Sequence, residues 1–203
     1  MSMVVPTAEP SDEALAARAA DGDDRAFEDI VERYQGRLYR LACRLTSDTD
    51  APDVLQETFL QAYRHLASFR GDSRFATWLY RIATNAALMD RRARARRPAE
   101  SLDTFLPRFD SEGAHVGTPA ELQAATRADE LLDRQSLAEQ ARAALSRLPD
   151  LYRVAFVLRD LEEMSTADVA EALGVEPAAV RQRVHRARLL LRGYLSHLVG
   201  EQR

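Results

Sequence analysis

A chain of 203 residues, 46% hydrophobic and 30% charged, is long enough for one ordinary domain or two small ones. A single cysteine and four histidines supply neither a disulfide nor a zinc set, which suits a reducing cytoplasm. The longest strongly apolar stretch, Val154 to Leu158, is far too short to cross a bilayer, and the acidic N-terminus does not read as a signal peptide.

A formal charge of −4 at first argues against nucleic acid as a partner, but the charge is unevenly placed. Residues 1–32 carry nine acids against two Arg, whereas 91–97 carry five Arg and 181–192 carry five Arg and one His, both without an acid. DNA meets the local field and not the net value. A protein acidic overall is nevertheless expected to bind free duplex poorly and to need a partner that holds it there.

Residues 12–96 read as helical. Ile30, Tyr34, Leu38, Leu41, Ala42 and Leu45 recur at three and four and predict one helix face that ends near Thr46-Ser47-Asp48. Cys43 falls within this pattern and is expected to fill core space. After Pro52, suited to a first helical turn, Val54, Leu55, Thr58, Phe59, Ala62 and Leu66 form a second stripe. Phe69 to Phe75 breaks the period and predicts a turn or loop. A third stripe through Trp78, Leu79, Ile82, Ala83 and Ala86 runs into the cluster Arg91 to Arg97. Phe75 and Trp78, beside a loop and before a basic run, are candidates for stacking on opened bases, and Asn85 for bonding a base edge.

Residues 98–123 hold three Pro, two Gly, five acids and one Arg, and read as an acidic, extended linker. Helical pattern resumes near Glu121 and continues to Leu148, with a boundary at Pro149. No strand signal or internal repeat is apparent. The expected fold is all-α, with helical domains over 12–97 and 124–197 joined by the linker.

Within 166–186 two short helices meet at Gly174, where a tight turn needs the left-handed conformation. Ala170 is small at the helix crossing, Leu173 and Val175 flank the turn, and Pro177 can open the second helix. On that helix Val180, Val184, Ala187 and Leu191 share the inner face. Gln182, His185 and Arg186 point outward, flanked by Arg181, Arg183 and Arg188. This division suits a helix-turn-helix whose outer face enters a major groove. Arg186 has the donors for guanine and Gln182 for adenine, while the flanking Arg side chains suit phosphates.

The run Asp50-Ala51-Pro52-Asp53-Val54-Leu55-Gln56-Glu57-Thr58-Phe59-Leu60-Gln61-Ala62-Tyr63, followed by Phe69-Arg70-Gly71-Asp72-Ser73-Arg74-Phe75-Ala76-Thr77-Trp78 and on to Asn85, closely resembles the second conserved region of bacterial extracytoplasmic-function (ECF) sigma factors. Leu148-Pro149 through Arg188 resembles their fourth region. The resemblance covers nearly all of 12–196. It implies a promoter-specificity subunit of RNA polymerase, with no catalytic residue, metal or cofactor of its own. Asp53, Gln56, Glu57 and Phe59 match the helix that docks on the clamp helices of the largest polymerase subunit, and the second domain is expected at the flap region. Phe69, Arg70, Gly71, Asp72, Ser73, Arg74 and Phe75 match the loop that captures a flipped base of the −10 element, with Asn85 near that pocket. Trp78 is a core or duplex-edge position, and Arg91, Arg92 and Arg94 would lie along the promoter backbone. Arg181, Gln182, Arg183, His185, Arg186 and Arg188 match the −35 reading helix and its flanks.

Tyr63 stands where the family usually has Trp, and Glu176-Pro177 replaces its Ser-Xaa-Gly turn. The linker resembles a thread laid through the polymerase cleft. The resemblance further implies cytoplasmic localisation, nucleoid association within the holoenzyme, and restraint by an anti-sigma partner, often membrane-bound. Rival readings are a stand-alone helix-turn-helix regulator, which the acidic N-terminus disfavours, and a scaffold that has lost polymerase binding. An enzyme with a metal held by Asp48, Asp50, Asp53 and Glu57 lacks a His, and clustered helix acids are more often a solvated or docking face.

Overall fold

The computed structural model describes residues 9–95 and 130–200 and the segments 108–109 and 115–116, with side chains over 9–95 and 137–196. Eight α-helices carry the fold of the described residues: α1 (Asp12–Ala20), α2 (Asp24–Leu45), α3 (Ala51–His65) and α4 (Phe75–Ala95), then α5 (Glu130–Arg147), α6 (Asp150–Phe156), α7 (Thr166–Leu173) and α8 (Pro177–Gly200). A two-residue antiparallel pair, β1 (Arg108–Phe109) with β2 (His115–Val116), lies in the stretch read as linker. Two residues are too few to leave the alternating pattern that would have announced a strand. The rest of that stretch, and residues 121–129 of the expected helix, lie outside the described residues.

The first bundle follows its caps. Ser11 accepts from Ala14 N (3.2 Å) and Asp23 from Ala26 N (3.3 Å), which starts α1 and α2 at side chains that satisfy orphan amides. Arg18 closes on Asp23 at 2.6 Å and holds its carboxyl below the usual range. Ile30, Tyr34, Leu38, Leu41, Ala42 and Leu45 are all buried, as their spacing predicts. Tyr34 hydroxyl donates to Asp12 Oδ2, tying α1 to α2, and burial followed by that carboxylate pushes the phenol upward. On α3, Thr58 is buried and its hydroxyl donates back to Val54 O at 2.6 Å, so the polar group costs little inside.

The second bundle is organised around Arg153, only 2% exposed. Its guanidinium donates to Leu145 O (2.9 Å), Leu148 O (2.7 Å) and Ser146 O, capping the C-terminal turn of α5. It also reaches Leu45 O (3.3 Å), the last residue of α2 in the other bundle. Burial draws the group down to about 10, which still leaves it charged at neutral pH. One buried cation therefore serves the carbonyl ends of two helices that the sequence separates by a hundred residues.

After α6 the chain loosens into a π-helical turn over Val157–Leu161, then passes Glu163 at φ 56 before Ser165 caps α7. Gly174 ends α7 at φ 63, and Val175 N donates to Ala170 O at 2.9 Å, a Schellman closure. Ala170 and Val180 are buried as the crossing requires, with Leu173 and Val175 half-buried beside them. The two bundles do not stand apart on a tether: α4 packs on α7 and α2 on α5. Cys43 accordingly lies half-buried at this seam, at the edge of the core and not within it.

Gly174→Ala should cost about 1–2 kcal/mol, the price of a side chain at left-handed φ, because a Cβ there meets nothing within 4 Å. Thermal unfolding would show it. Arg153→Met should cost about 3 kcal/mol or more, since the lost donors leave buried carbonyls unpaired. Chemical denaturation checks this.

Candidate nucleic-acid interface

Four surfaces carry the candidate residues, and each is presented differently by its helix. The 69–75 loop is clamped at both ends by aromatic rings. Phe69 meets Phe75 edge-on at 5.4 Å and Trp78 at 5.4 Å, while Phe75 lies 5.5 Å from Trp78 and 6.0 Å from Tyr34. Gly71 turns the tip at φ 75. Arg70, Gly71, Asp72 and Arg74 are exposed and Ser73 half-buried, so the loop offers backbone and polar groups to solvent over an aromatic floor.

Phe75 departs from the expectation that it stacks on a base. It is wholly buried as the first residue of α4, because its ring fills the space between Tyr34, Phe69 and Trp78. Its amide donates to Glu13 Oε1 at 3.3 Å, so α1 supplies the cap that starts α4. No local signal in the sequence foretells that cap, since its partner lies sixty-two positions away. Trp78 is half-buried and packs on the core with one part still accessible.

Along α4, Arg81, Asn85, Met89 and Arg92 form an exposed ridge at three- and four-residue spacing. The three backbone-contact candidates divide. Arg92 has no ion-pair partner among the described residues. Arg94 lies 2.6 Å from Asp50 and 3.0 Å from Asp90, and the Asp90 bond raises its pKa. Arg91 Nε lies 2.9 Å from Asp150 of the second bundle, and its Nη1 donates to Leu45 O at 3.4 Å. Arg91 is thus engaged across the seam.

On α3, Asp53, Gln56 and Glu57 are exposed on one side. Phe59 is half-buried and edge-on to Phe27, ring centroids 6.5 Å apart, so it supports that face from beneath. Leu60 and Tyr63 are exposed beside the acids, and Tyr63 packs on Phe27 at 5.0 Å. Leu60 was not singled out by the sequence; its exclusion from the apolar stripe was the available signal.

On α8, Arg181, Gln182, His185 and Arg186 are exposed, whereas Val180, Val184 and Ala187 are buried beneath them. Arg183 is half-buried. Arg188 is held by Asp160, which accepts two bonds of 2.8 Å from Nε and Nη2, and that pairing raises the guanidinium pKa. Ser165 Oγ accepts from Asp168 N at 3.0 Å, setting the start of α7 and hence the angle at which α8 leaves the turn.

Residues 30–97 match the family description "Sigma-70 region 2" and residues 138–191 match "Sigma-70, region 4". An ECF RNA polymerase sigma-E factor from Haemophilus influenzae is 38% identical over 189 residues, covering 93% of this chain and 97% of that one. The chain belongs to the ECF sigma factors. The sigma-E factor of Escherichia coli K12 is likewise 38% identical, over 180 residues, 88% of this chain and 91% of its own. Among solved structures, CnrH in complex with the cytosolic domain of CnrY superposes with TM-score 0.65 at 28% identity, over 96% of this chain and all of that one, 100%. The sigma factor RpoE of Bartonella quintana, solved with the anti-sigma factor NepR, gives 0.60 at 25% identity, over 84% and 96%.

Two substitutions separate scaffold from surface. Phe75→Ala should destabilise by about 3–5 kcal/mol, as for other buried aromatic truncations. Asn85→Ala, fully on the outside, should stay within about 0.5 kcal/mol of the parent. Equilibrium unfolding of both variants tests this division.

Proposed function

We propose that this ECF sigma factor binds core RNA polymerase first and promoter DNA second, reading the −35 element with α8 and capturing melted −10 bases at the 69–75 loop. The observation that carries the reading is the pairing of two exposed faces without partners among the described residues, Asn85 with Arg92 on α4 and Arg181, Gln182, His185 and Arg186 on α8, with family matches over both. The first unit spans 12–97, the linker 98–123 and the second unit 124–197.

Each face suits a distinct task. Asp53, Gln56 and Glu57 present carboxylates and an amide to basic groups of the clamp helices, which orients docking as much as it tightens it. The exposed Leu60 adds apolar area at the centre of that patch. The second unit is assigned to the flap region of the polymerase. Arg70, Gly71, Asp72, Ser73 and Arg74 surround a base drawn from the stack, and the aromatic floor of Phe69 and Trp78 keeps the loop in shape. Unpairing costs a few kcal/mol per flipped base, which loop contacts and core docking must offset. Arg186 and Gln182 supply the bidentate donors for guanine and adenine, and Arg183 faces phosphates, joined by Arg188 where a phosphate replaces Asp160 as its partner. No residue of this chain forms or breaks a covalent bond; polymerisation belongs to the core enzyme.

Control by an anti-sigma partner follows from the neighbour solved with one. A groove of about 950 Å³ between α2 and the second bundle, lined by Tyr39, Cys43, Leu145, Phe156, Leu191 and Leu195, suits an apolar helix of such a partner. The chain acts in the cytoplasm, at the nucleoid when in holoenzyme, and any membrane tether belongs to the partner. No helix among the described residues is long and apolar enough to cross a membrane.

Abortive initiation by purified core polymerase on pooled genomic promoter fragments from the source organism, with and without this protein, tests the reading. Sequence-selective initiation should appear only on its addition. Arg186→Ala should lower initiation about tenfold or more at the preferred promoters and relax preference at one −35 position, in line with the loss of a bidentate base contact. Tight duplex binding without core association would point instead to a stand-alone regulator.

A further inference from the structure

The helix that follows the 69–75 loop has no cap of its own. Arg74 stands at the N-cap of α4, its carbonyl accepting from Trp78 N at 3.1 Å, and a guanidinium has no acceptor to offer an orphan amide. Ser73 and Asp72, residue types that cap helices well, lie one and two positions too early. The first amide of α4 is met instead by Glu13, whose Oε1 accepts from Phe75 N at 3.3 Å. A carboxylate also suits the positive end of a helix. The side chains of Asp72, exposed, and Ser73, half-buried, make no hydrogen bond among the described residues. Glu13 is itself held in place by the rest of α1. Leu15 and Ala16 are buried, and α1 packs both on α4 and on the 3₁₀ turn Leu66–Ser68 that leads into the loop. Beside Glu13, Asp12 accepts from Arg33 Nη1 at 2.6 Å and from the Tyr34 hydroxyl, and the Tyr34 ring lies 6.0 Å from that of Phe75. One short helix thus secures both stems of the loop.

We infer that Glu13 is a positioning residue for base capture: it caps α4 from a distant part of the chain and so leaves the side-chain oxygens of Asp72 and Ser73 to the flipped base. The inference rests on the assignment of the 69–75 loop to the −10 element. A Ser or Asp at a helix start ordinarily gives its oxygen to the backbone amides of the first turn. Here that task has moved to α1, so the carboxylate of Asp72 and the hydroxyl of Ser73 keep their hydrogen-bonding capacity at the loop. Those are the groups that can meet the edge of a base taken out of its stack. The stem matters as much as the tip. Phe75 N lies where loop becomes helix, so the Glu13 bond fixes the last peptide of the loop. Hydrogen bonds to a base weaken steeply with misalignment, and drift of this stem therefore erodes discrimination without unfolding the bundle. Glu13 acts through the loop and does not itself touch the base.

The test uses the full chain with core polymerase, on a promoter recovered by the initiation assay and on copies of it changed singly at each −10 and −35 position. Glu13→Ala should lower the preference for the original base at the captured −10 position about fivefold, the weight of a typical helix cap. Preference at the −35 positions and affinity for core polymerase should not move. Glu13→Gln, whose amide oxygen still accepts from Phe75 N, should restore most of the −10 preference. Ser47→Ala is the stability control: it removes the Oγ that accepts from Asp50 N at 3.2 Å ahead of α3, in the same bundle but away from the loop, and should leave −10 preference intact. Circular dichroism checks folding. Should Glu13→Ala lose helix, Glu13→Asp, which keeps the charge but draws the oxygen back by one methylene, takes its place with the same expectation. Unchanged −10 preference, or an equal loss in Ser47→Ala or at the −35 positions, overturns the positioning role. An equal loss in Glu13→Gln assigns the effect to charge and overturns the cap. A parent protein that initiates nowhere, or with no −10 preference, overturns the loop assignment itself and the role of Glu13 with it.

Discussion

The arrangement of this molecule depends on one buried guanidinium. Arg153 collects the carbonyls that end α5 and adds Leu45 O at the end of α2, so a single side chain fixes both the second bundle and its seat on the first. A hydrophobic residue there would fill the volume but leave the carbonyls unsatisfied in a low-dielectric site, where unmade bonds are costly. The cation bears some cost of burial, yet its acceptors are the negative ends of helices. Placed at the seam, it makes the packing of the two bundles specific as well as stable.

The same seam leaves the candidate surfaces free. The tip of the 69–75 loop, the α4 ridge through Arg81, Asn85, Met89 and Arg92, the acidic side of α3 and the outer side of α8 are all exposed. The second bundle covers a different side of α4, the one bearing Thr77, Tyr80 and Arg91, with acids.

Much of this was legible in the sequence because it is local. The stripe from Ile30 to Leu45 reported a buried face directly, and Gly174 reported the turn before α8 through its backbone freedom. The outward set Arg181, Gln182, His185 and Arg186 followed from the inward set on the same helix. What stayed hidden is nonlocal. Glu13 caps α4 and Arg153 caps α2 across long stretches of chain, and no period records such pairs. Phe75 read as a loop aromatic but begins a helix and lies in the core, since the aromatic cluster around it forms only in three dimensions. Arg91 and Arg188 read as contacts to the DNA backbone, yet each meets an acid from another element of this chain. The π-helical turn also left no sequence trace, because a single extra residue in a helix keeps the apolar pattern nearly intact.

The most direct test of the account is the distance between the two bundles before and after polymerase binds. Donor and acceptor dyes at Ala17→Cys and Ser196→Cys, both exposed sites, in a Cys43→Ala background would report it by energy transfer. The account predicts high transfer in the free chain and a large fall on addition of core polymerase. Transfer already low in the free chain, or unchanged in the holoenzyme, would contradict it.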